Sequence, residues 1–152
     1  YAPFRSCPHR RRHSPLTPPS HPPASATHSS RQMLLSLLKS KLHMAAVTQT
    51  ELSYHGSITI DPLLMEAVGL RPYEKVLVSN CANGLRGETY VIKGKKGKRD
   101  VQLNGAMARL AQPGDRIIVM AFAHMTPDEA EEHHPVVAIL DAENRITETI
   151  RG

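Results

Sequence analysis

The chain has 152 residues, the length of one globular domain, and its formal net charge is +5. The excess charge lies entirely in residues 1–32, because residues 33–152 hold 14 basic and 14 acidic side chains and therefore offer no broad nucleic-acid-binding surface. The two isolated cysteines argue against a disulfide scaffold. Because no apolar run approaches the roughly 18 residues that span a bilayer, we expect a cytoplasmic protein without a membrane partner.

Residues 1–32 differ in composition from the rest of the chain. They contain seven of the 12 prolines and five arginines, without any acidic residue. Such a segment buries too little apolar surface to offset the entropy lost on ordering it. We expect a disordered leader that is either a targeting segment or absent from the native protein, since the first methionine is Met33. The predicted folded domain is residues 33–152.

The predicted domain consists of short β-rich segments separated by turn signals. Seven segments are β-branched or alternate between apolar and polar residues, which favours a mainly β fold and a small barrel. The predicted strands are Met44–Thr48, Ser57–Ile60, Lys75–Ser79, Thr89–Ile92, Val101–Leu103, Arg116–Phe122 and Val136–Leu140.

Two short helices are predicted between the strands. Asp61 and Pro62 supply an N-cap and a first helical residue, and Gly69 ends the apolar stripe that follows them. The segment Thr126–Glu129 begins a second helix in the same way. Turns are predicted at Asn83-Gly84 and at the basic run Gly94–Arg99, which has the pattern of a solvated hairpin tip.

A glycine and a serine at the start of one predicted strand, Gly56 and Ser57, form a candidate reactive site. Taken alone, the pair favours a bulge or a bend. Glycine also adopts backbone conformations that other residues avoid, so the carbonyl of Gly56 can be strained and presented to the hydroxyl of Ser57. An attack by that hydroxyl would convert the peptide bond into an ester, and β-elimination would then break the chain between the two residues.

The neighbours of this pair resemble the self-processing site of the pyruvoyl-dependent aspartate 1-decarboxylases. In that family a Lys-[Leu/Ile]-His segment, a Val-Thr pair and a Tyr-x-Gly-Ser site follow one another at the spacing of Lys41–His43, Val47-Thr48 and Tyr54–Ser57. The family's later motifs are similar to Asn83-Gly84, Arg86, Thr89-Tyr90, Asn104–Ala106 and Pro113–Asp115. The sequence departs from the family's pattern at His55, Met107 and Lys98–Asp100.

The resemblance implies self-cleavage between Gly56 and Ser57, which would give a β chain of residues 33–56 and an α chain of residues 57–152. Ser57 would become a pyruvoyl group that forms a Schiff base with the substrate, so neither pyridoxal phosphate nor a metal is expected. The implied reaction converts L-aspartate to β-alanine and carbon dioxide, for pantothenate and coenzyme A biosynthesis. The implied fold is a double-psi β-barrel with short connecting helices.

The resemblance also implies roles for individual residues and for partners. Lys41 and Arg86 would hold the two substrate carboxylates, and Tyr90 would donate a proton to the carbanion. The other implied substrate-binding residues are Thr89, Asn104, Gly105, Ala106 and Met107, and the supporting residues are His43 and Tyr54. The implied assembly is a homotetramer with its sites at subunit interfaces, and cleavage would be either autonomous or assisted by a maturation factor.

Other function classes remain as alternatives. The segment Ile58–Val78 also resembles the swapped-hairpin, β-barrel DNA-binding transcriptional regulators, although the neutral domain lacks an arginine stripe. The interpretation as a ribosome- or RNA-associated protein would be supported only by the leader and the lysine-rich loop. His124, His133 and His134 do not have the spacing of a metal site.

Overall fold

The computed structural model describes residues 32–152, so the leader predicted for residues 1–32 lies outside the described residues except for Gln32. The strands of the described part are β1 (Leu35–Ala46), β2 (Gln49–Glu51), β3 (Ser57–Ile60), β4 (Lys75–Asn80), β5 (Arg86–Lys93), β6 (Val101–Asn104), β7 (Arg116–Met125), β8 (Val136–Leu140) and β9 (Ile146–Arg151). The helices are α1 (Pro62–Val68), α2 (Pro127–Glu131) and a 3₁₀ helix (Gly105–Leu110).

The strands form one mixed sheet in the order β2-β6-β3-β5-β4-β7-β1-β8-β9. Three neighbouring pairs are parallel, namely β1 with β8, β2 with β6 and β3 with β5, and the other pairs are antiparallel. The sheet surrounds a core of branched aliphatic side chains, each of which stabilises the fold by roughly 1.5–3 kcal/mol through burial. Fully buried members include Leu42, Ile58, Ile60, Val91, Leu103, Ile117 and Val119. The predicted mainly β, barrel-like fold is confirmed.

The observed strands differ from the predicted ones where pairing with other strands, rather than the local sequence pattern, decides the structure. The predicted strand Met44–Thr48 has wrong bounds, because β1 begins at Leu35 and ends at Ala46. β1 is held by β7 on one side and β8 on the other, and its pairing with β7 is interrupted by two register shifts that break any regular alternation. β2 and β9 were not predicted, since β2 has three residues and every residue of β9 is exposed.

The two predicted helices are confirmed together with their caps. The side chain of Asp61 accepts a hydrogen bond from Leu63 N at 2.9 Å, and Gly69 ends α1 in the left-handed conformation at φ +70°. At α2, Thr126 and Glu129 form a reciprocal capping box. The local sequence was sufficient here because helix caps depend on neighbours in the chain.

Two buried polar side chains fasten loops to the barrel. Asp61 also accepts hydrogen bonds from Gly97 N and Arg99 N, at 3.0 and 2.5 Å. Asn144 exchanges hydrogen bonds with both backbone groups of Ala46 and donates to Arg99 O at 2.9 Å. The backbone of the basic loop is therefore fixed, although its lysine side chains are exposed as predicted.

Candidate active site

Ser57 lies at the beginning of β3, opposite Asn104 at the end of β6. The Asn104 amide nitrogen Nδ2 donates to Ser57 Oγ at 3.1 Å and to Thr59 Oγ1 at 2.9 Å. Ser57 and Asn104 are 1% and 2% exposed. Because both hydroxyls point to one face of β3, the single Asn104 amide holds the Ser57 and Thr59 hydroxyls in a water-poor environment.

Gly56, the glycine at the predicted cleavage site, is in direct backbone contact with a second glycine. Gly56 has φ +71° and Gly105, at the start of the 3₁₀ helix, has φ +60°. A methyl group on Gly105 would lie 2.6 Å from Gly56 Cα, 2.7 Å from Gly56 N and 3.0 Å from Tyr54 O. Gly56 N donates to Tyr54 O at 2.8 Å, which makes a tight turn before the serine. Only glycine at position 105 permits this approach of the two backbones.

Tyr90 lies beside Ser57 on the neighbouring strand. β3 and β5 pair in parallel, with Ile58 opposite Val91. Ser57 comes directly before Ile58 and Tyr90 directly before Val91, so the two residues occupy corresponding positions. Side chains at corresponding positions of paired strands lie on the same face of the sheet. Tyr90 is 40% exposed, which leaves its phenol group accessible from outside the barrel.

The remaining predicted residues of β5 lie on both of its faces. Arg86 and Tyr90 are exposed and share the outer face, whereas Thr89 is partly buried and follows the inward alternation of Val91. Thr89 is therefore on the opposite face of the strand from Ser57 and Tyr90. The Thr89 hydroxyl and the Arg86 side chain, both predicted to bind the substrate, therefore lie on opposite faces of β5.

Lys41 is on β1, and β7 and β4 lie between β1 and β5 in the sheet. Lys41, Met120, Leu77 and Glu88 are successive partners across these four strands and therefore share the outer face. Three strand spacings put the Lys41 backbone about 14 Å from that of Glu88. Ser57, Thr59 and Asn104 form what we call the Ser57 cluster. Within one chain, Lys41 is on the same face as Tyr90 but is not part of this cluster.

His43 lies on β1 close to Lys41. Its Nδ1 atom is buried and has no hydrogen-bond partner among the described residues. Burial lowers the pKa of His43 below its usual value, and the positive charges of Lys41 and Arg116 lower it further. The imidazole is consequently neutral at neutral pH, with an unpaired ring nitrogen next to the predicted substrate-binding lysine.

Met107 and Ala106 occupy different environments in the 3₁₀ helix. Ala106 is exposed, whereas Met107 is buried against β5. A methyl group on Gly87 would lie 3.0 Å from Met107 Sδ and 2.8 Å from Leu110 Cδ1. The missing side chain at Gly87 therefore makes room for Met107, one of the positions where the sequence departs from the family's pattern.

A cavity of about 470 Å³ lies beside the Ser57 cluster. Its floor is a row of successive partners across four strands, Gln49, Gln102, Thr59 and Ile92. The adjoining row contains Glu51, Asn104 and Ser57. Other residues at the cavity wall are Tyr54, Lys93, Lys95 and Asp100.

The sequence interpretation missed Thr59 and most residues of this cavity. Thr59 could have been found from the Ser57-x-Thr59 spacing, which places both hydroxyls on one strand face. Glu51 and Gln102 carried no such signal, because their strands meet only in the folded chain. Among residues 32–152, no group of three His, Cys, Asp or Glu residues is arranged to hold a metal. No helix in that part of the chain is long and apolar enough to cross a membrane.

Comparison with known proteins gives a consistent match. A family model described as aspartate decarboxylase matches residues 33–147. A protein named aspartate 1-decarboxylase from Salinibacter ruber is 56% identical over 117 residues, which cover 77% of this chain and 80% of that protein. Proteins of the same name from Ruminiclostridium cellulolyticum and Pelotomaculum thermopropionicum are 55% and 52% identical, over 76% and 79% of this chain and 90% and 91% of their own lengths.

Proposed function

The chain belongs to the aspartate decarboxylase family of lyases, and from this we propose that it converts L-aspartate to β-alanine and carbon dioxide. The names of its relatives support the substrate and the reaction. They favour this enzyme over the DNA-binding regulator considered from the sequence. We place its product in pantothenate and coenzyme A biosynthesis in the cytoplasm, as the family resemblance implies.

We propose that the chain first cleaves itself between Gly56 and Ser57. The observation that carries this proposal is the Ser57 hydroxyl, buried and held by Asn104 directly after a glycine at φ +71°. Ser57 Oγ would bond to the carbonyl carbon of Gly56, the peptide C–N bond would break, and the hydroxyl proton would pass to the Ser57 nitrogen. This rearrangement replaces the amide by an ester.

The ester explains how the chain would separate into two. Loss of the Ser57 Cα proton and cleavage of its Cβ–O bond would release Gly56 as a carboxylate and leave dehydroalanine at position 57. Addition of water and loss of ammonia would then leave a pyruvoyl group. The contact between Gly105 and Gly56 supports the first step, because it prevents the scissile peptide from moving away from the hydroxyl.

The residues around position 57 fit a small ketone. Asn104 donates to the present Ser57 oxygen, and Thr59 shares the same amide, so a hydrogen-bond donor and a hydroxyl are available there. When present, a pyruvoyl ketone supplies an electron sink that condenses with an amine and favours loss of a neighbouring carboxylate. We propose that Tyr90, next to Ser57 in register, delivers the proton that replaces the departed carbon dioxide.

We propose that a second copy of the chain completes the site. Arg86 and Lys41 are the cations that the resemblance assigns to the substrate carboxylates, and strands β4 and β7 separate them within one chain. Tyr90 and Phe122 are 40% and 44% exposed on the same outer face. Apolar exposure of this kind supports burial in an oligomer, for which we propose a homotetramer.

We propose that residues 33–152 form the enzyme and that residues 1–32 are dispensable for it, since the family match begins at residue 33. Cleavage either proceeds unaided or is accelerated by a maturation factor. The Asn104 and Gly105 contacts with the cleavage site support unaided cleavage, because both act from within the chain.

The reaction is tested by incubating the purified chain with L-aspartate, following β-alanine by proton NMR and measuring the carbon dioxide released into a sealed headspace. We expect β-alanine and carbon dioxide in equal amounts, and no product from Ser57→Ala. Ser57→Thr keeps a hydroxyl at this position, so comparing it with Ser57→Ala distinguishes loss of the nucleophile from loss of the fold. Absence of β-alanine from a cleaved wild-type protein would contradict the proposed activity.

A further inference from the structure

The elimination step of the self-cleavage needs a base, and the Ser57 cluster does not contain one. This step removes the proton from Ser57 Cα, so a group that accepts a proton has to be within reach, directly or through one water molecule. Among residues 32–152, the only hydrogen bond to Ser57 Oγ comes from the Asn104 amide. Thr59, which shares this amide, is a hydroxyl. Because neither an amide nor a hydroxyl is a base at neutral pH, the proton acceptor has to come from outside the cluster.

Glu51 is a carboxylate in the same row of the sheet as Ser57. Glu51, Asn104 and Ser57 are successive partners across β2, β6 and β3, so their side chains lie on one face. Two strand spacings separate the backbones of Glu51 and Ser57 by about 10 Å. The glutamate side chain reaches across part of this distance, and one water molecule is enough to link its carboxylate to Ser57.

The segment that leads to the cleavage site orients this carboxylate. Glu51 Oε1 accepts a hydrogen bond from Ser53 N at 2.9 Å, at the start of residues 52–56. Glu51 Oε2 forms no hydrogen bond or ion pair with any residue that the structure describes. One oxygen therefore fixes the group beside the cleavage segment, and the other is available to accept a proton.

The cavity beside the Ser57 cluster gives water access to both groups. Glu51 borders this cavity of about 470 Å³, and so do Asn104 and Thr59, which hold the Ser57 side chain between them. The volume is sufficient for several water molecules, since each occupies about 30 Å³ in the liquid. Water from the cavity can therefore link Glu51 with Ser57 past the Asn104 side chain, and it can supply the later hydration of dehydroalanine.

We propose that Glu51 is the proton acceptor of the elimination step, an inference that rests on the proposed self-cleavage. Once the ester has formed, the proton on Ser57 Cα passes through one water molecule to Glu51. The electron pair of that C–H bond forms the double bond between Cα and Cβ, the Cβ–O bond breaks, and Gly56 leaves as a carboxylate. Glu51 then returns its proton to water in the cavity, which restores the carboxylate.

The test compares Glu51→Gln with the wild-type full-length chain, because glutamine keeps an acceptor for Ser53 N but does not take up a proton at neutral pH. A general base contributes roughly 100- to 10,000-fold to a rate, so we expect cleavage of Glu51→Gln to be about 100-fold slower or more. The ester should accumulate. Hydroxylamine cleaves esters and should split this variant into two chains, the larger beginning with an unmodified serine at position 57, as shown by mass spectrometry.

Two further variants separate proton transfer from a purely structural role. Glu51→Ala removes the side chain and leaves space beside the cavity, so added formate should restore its cleavage by supplying a carboxylate. Formate should not restore cleavage of Glu51→Gln, in which the glutamine occupies that space. Asp100→Asn is the matched control, since it removes one negative charge from another part of the cavity wall, and it should cleave at the wild-type rate.

The inference is overturned if Glu51→Gln cleaves at the wild-type rate. It is also overturned if this variant stays whole in hydroxylamine, because the block would then precede the ester. Equal impairment of Asp100→Asn, or the absence of rescue by formate in Glu51→Ala, would likewise contradict proton transfer to Glu51. Failure of the proposed function has a different signature, since a wild-type chain that does not cleave would show it without any of these variants.

Discussion

Replacing Gly105 by alanine tests whether its contact with Gly56 holds the cleavage site in position. Gly105 has φ +60°, a conformation that costs a non-glycine residue roughly 1–2 kcal/mol. The new methyl group would also lie 2.6 and 2.7 Å from backbone atoms of Gly56. Because backbone atoms cannot rotate away as side chains do, the segment before Ser57 has to shift.

Gly105→Ala should therefore affect cleavage far more than stability. We expect a loss of about 1–3 kcal/mol in the free energy of unfolding, measured with urea, and an accumulation of uncleaved chain. Cleavage is followed by gel electrophoresis and mass spectrometry during incubation at constant temperature. A displacement of reacting atoms by 1 Å can slow a reaction about 100-fold, which sets the expected scale.

The matched control is Gly69→Ala. Gly69 has φ +70° at the end of α1, but a methyl group there meets nothing within 4 Å. It therefore carries the same backbone penalty without the contact at the cleavage site, and it should cleave at the wild-type rate. Normal cleavage in Gly105→Ala, or equal impairment of both variants, would refute the reasoning.

Further predictions concern the substrate residues, the leader and acid stability. Tyr90→Phe should mainly lower kcat without affecting cleavage, and an unchanged kcat would exclude proton donation by Tyr90. Arg86→Ala should raise KM for L-aspartate and lower kcat/KM about ten- to a hundred-fold, whereas an unaltered KM would make Arg86 a surface cation. A chain that begins at Met33 should fold, cleave and turn over like the full chain, and failure of any of these would assign a role to residues 1–32. The pKa of Asp61 is lowered, because backbone hydrogen bonds from Leu63, Arg99 and Gly97 and the charge of Arg99 outweigh its burial. Its ionised form should stabilise the fold above about pH 4, the unfolded value, with the benefit lost as pH falls through the lowered pKa. Urea unfolding at several pH values should show the stability gap between wild type and Asp61→Asn closing in acid; a constant gap would contradict this.

The features that the sequence predicted are those decided by near neighbours. The caps Asp61 and Thr126 bond to residues two and three positions away, so both helices could be recognised. β1 from Leu35 onward depends on pairing with the distant strands β7 and β8. β9 pairs with its neighbour β8, but all of its residues are exposed, so neither strand shows a regular alternation of burial. Their presence could not be deduced from the local pattern.

The same distinction applies to the candidate site. Gly56 and Ser57 are adjacent in the chain and could be identified from the sequence. The hydrogen bond from Asn104 to Ser57 joins residues 47 positions apart, and only the β3–β6 register makes it. The resemblance named Lys41 and Asn104 alike, but the fold separates them, since β1 lies far from β6 in the sheet order.

The central claim is that the chain makes its own reactive group, and the most direct test is the intact mass of the purified protein. We expect two chains separated between Gly56 and Ser57, the larger one beginning at position 57 with a mass lower by one ammonia than that of a chain beginning with serine. A reagent specific for ketones should add once to that larger chain and not to Ser57→Ala, which should remain whole. A single unmodified chain with aspartate decarboxylase activity, or a Ser57→Ala protein that still cleaves at this bond, would contradict the account.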